Sequence, residues 1–231
     1  MMDNLKIKLK NNRVLNPIYI FFATKYHERK NKKLKKLIKK KGADVVKFLA
    51  NFFIKYSYIY FFDMGTLLGI IRENDFIGHD LDIDLGIICD SSLEKKEIID
   101  HLIHEGAIIK YIFTKDNDIV EASFLFKQIK FDLNFYSNVG DYSFCYLLFR
   151  NPKKIYAGEQ FDIVELKCSK IEKTKTIIFK GYSISIPSNA LLYLEERYGK
   201  NWREPDKNYI YWKGPSATIL EGKEGTRTIY K

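Results

Sequence analysis

Between Ile108 and Tyr136 the chain passes through three strand-length segments, Ile108 to Phe113, Ile119 to Phe126 and Ile129 to Tyr136, rich in β-branched and aromatic residues. Only Lys127 and Gln128 separate the last two, the length of a tight hairpin turn. Consecutive strands of this kind require a sheet, and the rest of the sequence says what covers it. Upstream, Ala43 to Tyr56 places Val45, Phe48, Leu49, Phe52 and Tyr56 on one side of a helix. Ser57 to Phe62 reads as a short strand, Leu67 to Arg72 as a brief helix after the Gly65 turn, Asp82 to Ile88 as a strand and Leu93 to His104 as a helix. Downstream, strands recur near Gln160 to Val164, Thr176 to Phe179 and Tyr182 to Ile186, and Ser188 to Tyr198 reads as a helix stopped by Gly199. No internal repeat is visible, which removes solenoids and propellers. The expected fold class is α/β (α+β), a sheet with helices packed on it.

Composition permits such a core. Of the 231 residues 46% are hydrophobic and 29% charged, which excludes wholesale disorder, while 13 Gly and 5 Pro exclude a collagen-like or linker-like chain. The 16 Tyr and 17 Phe, beside many Lys, Ile and Asn, fit the codon bias of an AT-rich genome and are not read as a stacking surface. Cys89, Cys145 and Cys168 are widely spaced and form neither a C-x-x-C pair nor a disulfide framework, so a reducing compartment is expected and a structural zinc site is not.

The net charge of +10 is concentrated at one end. Residues 1–42 hold fourteen Lys and Arg against Asp3 and Glu28, whereas the remainder holds 25 basic and 27 acidic residues. The basic character therefore belongs to an N-terminal helical extension, 1–42, ahead of a nearly neutral body, 43–212. Gly42 is its expected stop. Within it, Lys25 to Lys41 carries Leu34, Leu37 and Ile38 as a thin apolar stripe. Contact with anionic lipid, a solvated helix face and contact with nucleic-acid phosphates are the three readings; lipid is the favoured partner and nucleic acid is not expected. No stretch reaches membrane-spanning length; Val14 to Ala23, preceded by Lys6, Lys8, Lys10 and Arg13, has a faintly leader-like character but no good small-residue cleavage site after it. The segment 213–231, with Gly214, Gly222 and Gly225 among many charges, reads as a loose C-terminal tail.

Chemistry is concentrated between Phe62 and Gly86. On a strand, Asp82 and Asp84 project from one face, where two carboxylates repel and require a cation between them. Hard oxygen donors suit Mg²⁺ or Mn²⁺, with nucleotide phosphates completing the shell. A third acid on a neighbouring strand would complete a two-metal site, and Asp132, sharing the polar face of Ile129 to Phe135 with Lys130 and Asn134, is the candidate. The Gly65-Thr66 turn lets backbone N–H groups approach a phosphate at a helix N-terminus; the Thr66 hydroxyl would cap that helix or hold a phosphate oxygen, and Arg72 would neutralise a phosphate. Each residue taken singly also has a plain structural reading: a wet edge-strand face for Asp82 and Asp84, a turn cap or lysine partner for Asp132, a surface ion pair for Arg72.

The stretch GTLLGIIRENDFIGHDLDIDLG, Gly65 to Gly86, resembles the hallmark of the LicD/fukutin-related family, GTLLGxxR…FIPWDDDID. A later run, Ile186-Pro187-Ser188-Asn189-Ala190 through Tyr193-Leu194 to Arg197-Tyr198-Gly199-Lys200-Asn201-Trp202 and Pro205, resembles the family's second signature of a proline, a helix and a "YG" ending. The resemblance spans about Tyr56 to Pro205. Gly78-His79 stand where the family has Pro-Trp, and Leu81 replaces its middle acid, while Asp80, Asp82 and Asp84 remain. His79 is read either as a phosphate contact or as a loop histidine.

The resemblance implies a nucleotidyltransferase-like mixed sheet with flanking helices. It also implies transfer of a phospho-substituent, phosphocholine or a polyol phosphate, from a CDP-activated donor to a glycan hydroxyl. Asp82, Asp84 and Asp132 would be catalytic and hold Mg²⁺ (or Mn²⁺); Gly65, Thr66, Arg72 and Asp80 would bind donor and phosphate. The acceptor would be a glycan or lipid-linked glycan of surface polysaccharide or lipooligosaccharide, and the location cytoplasmic, peripheral on the inner membrane face. The rival readings are transfer of NMP from an NTP to RNA, protein or a small molecule, and an inactive glycan- or membrane-binding scaffold.

Overall fold

The computed structural model describes residues 15–78 and 80–230. Lys6, Lys8, Lys10, Arg13 and Val14 of the basic, leader-like segment, and His79, lie outside the described residues.

A single helix, α1 (Leu15–Tyr56), runs through the whole junction between the expected extension and body. The sequence reading of a helix stop at Gly42 is corrected here. Ile38, before Gly42, and Val45, after it, are both buried in the core, so helix and core contact continue across the glycine. Gly42 is required for close approach instead: a Cβ there would stand 2.5 Å from Phe76 Cε2. Val45, Leu49 and Phe52 are buried, Phe48 stacks on Phe126 at 4.0 Å between ring centroids, and Phe53 stacks on Tyr60 at 4.0 Å. Toward its N-terminus, Ile20, Phe21, Phe22 and Tyr26 are all more than half exposed.

After α1 come β1 (Tyr60–Phe62), α2 (Met64–Glu73), β2 (Asp82–Ile88), α3 (Ser92–His104), β3 (Ile108–Lys115), β4 (Asp118–Phe126), β5 (Ile129–Val139) and β6 (Tyr142–Phe149). Then follow β7 (Gln160–Ser169), the hairpin β8 (Thr174–Phe179) and β9 (Tyr182–Pro187), α4 (Ala190–Tyr198), a 3₁₀ turn at Tyr211–Lys213 and β10 (Ala217–Ile229). Eight strands form one mixed sheet in the order β1-β2-β5-β4-β3-β10-β7-β6. Among the described strands of this sheet only β2 and β5 run parallel. The final residues of β5 also pair with β6, so six strands close on themselves, around a second apolar cluster of Phe113, Val120, Leu148, Phe161 and Ile163. Lys127 and Gln128 form the expected tight turn, both at positive φ. In α4 the residues buried are Ala190, Tyr193, Leu194 and Arg197, one stripe at i, i+3, i+4 and i+7.

Two strands depart from the sequence reading. Tyr142–Phe149, outside the elements expected from the sequence, is β6. The expected loose tail, 213–231, contains β10, a 13-residue strand between β3 and β7. Most β10 side chains face water, with a bulge between Ile219 and Glu224. Main-chain pairing on both edges holds it in place, and such pairing leaves no hydrophobic alternation to read.

Candidate active site

The site begins where β1 ends. Asp63 N-caps α2 by accepting from the Met64 N–H at 2.7 Å, and its own N–H donates to the Asp84 carbonyl at 3.0 Å, tying β1 to β2. Its carboxylate is fully buried and also accepts from Tyr136 Oη at 2.8 Å and from Tyr193 Oη. Burial pushes its pKa up, against the pull of these hydroxyls and of the Arg197 charge.

The next two residues of the turn take different roles. At Gly65 a Cβ would stand 3.0 Å from Asp80 Oδ1, so this glycine admits the Asp80 carboxylate beside the start of α2. Thr66 is completely buried, and its Oγ1 accepts from the main-chain N–H of Asp84 at 2.9 Å. Asp63, and not Thr66, is therefore the cap of α2, and the Thr66 hydroxyl engages β2.

Parallel pairing of β2 with β5 sets Asp84 opposite Asp132 and Asp82 opposite Lys130. The three expected carboxylates thus come together on the wall of a cavity of about 410 Å³, which Asp80 and Glu121 also line. The sequence places Lys130 beside Asp132 on one strand face. Lys130 Nζ lies 2.8 Å from Asp82 Oδ2 and 2.6 Å from Asp132 Oδ2, so a side-chain cation bridges these two carboxylates and leaves Asp84 without an ion pair among the described residues. Burial lowers the Lys130 pKa, but Asp132 and Asp82 outweigh it and hold the ammonium charged. Ser123 Oγ donates to Asp132 Oδ1 at 2.6 Å.

One lysine does not neutralise the cluster. Burial, with repulsion from Asp82 and Asp132, raises the pKa of Asp84 well above the usual range. Burial, then Asp132, pushes Glu121 to about 8; burial, then Asp82, pushes Asp80 to about 7, and Asp80 Oδ2 is buried without a partner. Among the described residues no three acid, His or Cys side chains converge on one metal position as they stand. The donor chemistry nonetheless fits a hard divalent cation: the oxygens of Asp82, Asp84 and Asp132 are grouped, under-neutralised and open to the cavity.

A second cavity, about 450 Å³, shares Gly65, Asp80, Tyr198 and Tyr209 with the first, so the two form one cleft. Arg72 lines this part, with Nη2 2.6 Å from Glu73 Oε1 and Nη1 3.4 Å from the Trp202 carbonyl. Its plain ion-pair reading is what the structure contains. The sequence reading missed Glu121, Asp63 and Arg197. Glu121 had a signal: with Ser123 it makes an i, i+2 polar pair inside the apolar run Ile119 to Phe126, the pattern that picked out Asp82 and Asp84.

A mixed sheet carrying an Asp-x-Asp strand beside a parallel strand with a third acid, after a Gly-Thr turn into a helix, defines a nucleotidyltransferase-like domain. Residues 57–189 match the family model described as LicD/FKTN/FKRP, nucleotidyltransferase domain, and the chain belongs to this family. It is similar to ribitol-5-phosphate transferase FKTN of Homo sapiens and of Macaca fascicularis, 25% identical to each over 178 residues, 77% of this chain and 36% of each relative. The Mus musculus protein of that name is 28% identical over 152 residues, 65% of this chain and 31% of its own length. The chain thus spans about a third of the curated relatives it matches.

Proposed function

We propose that this chain is a metal-dependent phosphotransferase. It would move a phospho-substituent from a CDP-activated donor onto a glycan hydroxyl, in the making of a surface polysaccharide or lipooligosaccharide. The pairing of Asp84 with Asp132 across β2 and β5, with Asp82 one step away on the cavity wall, carries the reading. The name of the relatives favours a polyol phosphate over phosphocholine as the transferred group.

In this reading Asp82, Asp84 and Asp132 hold Mg²⁺ or Mn²⁺, which would screen the diphosphate and the charge developing on departing CMP. Asp132, buried and held by Ser123 and Lys130, accepts the proton of the acceptor hydroxyl. The hydroxyl oxygen bonds to the distal phosphorus as that phosphorus loses its bond to the CMP oxygen. Gly65 and Arg72, with Asp80 beside them, border the part of the cleft that receives the donor.

The test is CMP release from CDP-ribitol, CDP-glycerol and CDP-choline with Mg²⁺ or Mn²⁺ and a glycan acceptor, beside pyrophosphate release from CTP and ATP. CMP from one CDP-alcohol, abolished in Asp84→Asn and Asp132→Asn, is expected. Pyrophosphate from an NTP and no CMP would establish the nucleotidyltransferase rival; activity with neither would favour the scaffold.

The basic half of α1 supports a peripheral contact with anionic lipid, on the cytoplasmic side where CDP donors are made. Exposed Lys32, Lys33 and Lys36 follow the exposed aromatics Phe21, Phe22 and Tyr26 along the helix, a basic-aromatic combination suited to a charged interface. No described helix is long and apolar enough to cross a membrane. Co-sedimentation with phosphatidylglycerol vesicles should be lost in the triple variant Lys32→Glu, Lys33→Glu, Lys36→Glu; retention would exclude this contact.

A further inference from the structure

The cleft contains a buried guanidinium, near enough to the buried Asp63 carboxylate to act on it, yet with two N–H positions that no described residue accepts. Arg197, in the last turn of α4, is 3% exposed and lines the 410 Å³ cavity with the acid cluster. Its Nε and Nη1 are buried and have no hydrogen-bond partner. A guanidinium is charged at every working pH, and leaving its N–H groups buried without acceptors is costly. The position itself is built firmly. The Arg197 carbonyl accepts from Tyr209 Oη at 3.1 Å, and Gly214 packs against that carbonyl so closely that a Cβ would stand 3.0 Å away. Arg72, by contrast, already engages Glu73 and the Trp202 carbonyl.

We propose that Arg197 is the phosphate anchor of this cleft, its unpartnered N–H groups taking the oxygens of the donor diphosphate. The inference rests on the phosphotransferase reading for the identity of the ligand and on the unpartnered guanidinium for the anchor. A guanidinium presents paired N–H groups in a fixed plane that matches two phosphate oxygens, and it gains most where water is excluded. The cavity then has two chemically distinct parts: carboxylates that attract a divalent cation, and an arginine that attracts the anion the cation accompanies. A ligand bearing only the cation or only the anion would satisfy one part.

The test compares dissociation constants of CDP and cytidine for the wild-type chain, Arg197→Lys and Arg197→Gln, with Mg²⁺ present. The expected result is a loss of at least about tenfold for CDP in Arg197→Lys, larger in Arg197→Gln, with cytidine binding nearly unchanged. A parallel loss for both ligands would mean a purely structural arginine, and no loss for either would remove the anchor. If the wild type binds no CDP or CDP-alcohol, the donor reading falls and pyrophosphate becomes the deciding probe. Thermal stabilisation by pyrophosphate in the wild type, absent in Arg197→Lys, upholds the anchor; its absence in the wild type removes it. Should neither variant fold, the Arg197 Nε–H resonance of the wild-type chain decides: it should shift on pyrophosphate addition, and a static resonance overturns the inference.

Discussion

The main-chain N–H of Asp84 donates to the Thr66 hydroxyl at 2.9 Å, so the turn at the head of α2 sets the height of an acidic residue on β2. Thr66→Val keeps the shape and strands that N–H. A loss of about 1–3 kcal/mol is expected by urea unfolding, and Thr66→Ser should restore most of it. A Thr66→Val chain with wild-type stability and weakened CDP binding would instead return the hydroxyl to phosphate.

Lys130 Nζ bridges Asp82 and Asp132, a single positive charge between two carboxylates. Lys130→Met should therefore lower stability in EDTA by about 1–3 kcal/mol, less than for a fully buried pair because Lys130 and Asp82 are partly exposed. Mn²⁺ should raise the melting temperature of this variant more than that of the wild type, since the ion then meets no competing ammonium. Equal shifts would mean that Lys130 and the ion do not share a place.

The acid cluster also sets a pH dependence. The folded-state pKa of Asp80, about 7, and of Glu121, about 8, lie above their ordinary values of 3.8 and 4.5. Between those limits the folded chain binds more protons than the unfolded one, so stability falls as pH rises. In EDTA the melting temperature should decline from about pH 4 to pH 8, and Asp80→Asn with Glu121→Gln should flatten that decline. A metal-free profile rising over this range would contradict the cluster's electrostatics.

Truncation after Ser216 should abolish the soluble fold, because β10 joins β3 to β7 in the middle of the sheet. Recovery of a folded, cooperatively melting truncated chain, followed by circular dichroism, would show that the strand is dispensable.

The local elements of the site region were legible because their signals are local. Asp82–Ile88 forms the strand read from its sequence, and the Gly65 turn opens a helix, α2, that starts at Met64. The hairpin at Lys127-Gln128 needs only two residues to declare itself. Elements fixed by distant partners were not legible. β10 is charged and glycine-containing, and its place depends on free edges of β3 and β7 that no window around residue 220 contains. Gly42 looks like a helix stop until Phe76, 34 residues later, is seen to need the space.

For the site, the sequence determined which residue types could do the chemistry: an i, i+2 pair of acids on a strand, a third acid on another strand, and the motif that relates the chain to its family. Tertiary structure alone decided the pairing. Parallel register between β2 and β5, set by side chains far apart in sequence, brings Asp84 to Asp132 and Lys130 to Asp82. Packing of the helices on the sheet directs the Thr66 hydroxyl to the Asp84 N–H and leaves Nε and Nη1 of Arg197 buried without a partner. Periodicity reports which face of an element is wet; which two faces meet is settled by packing among all of them.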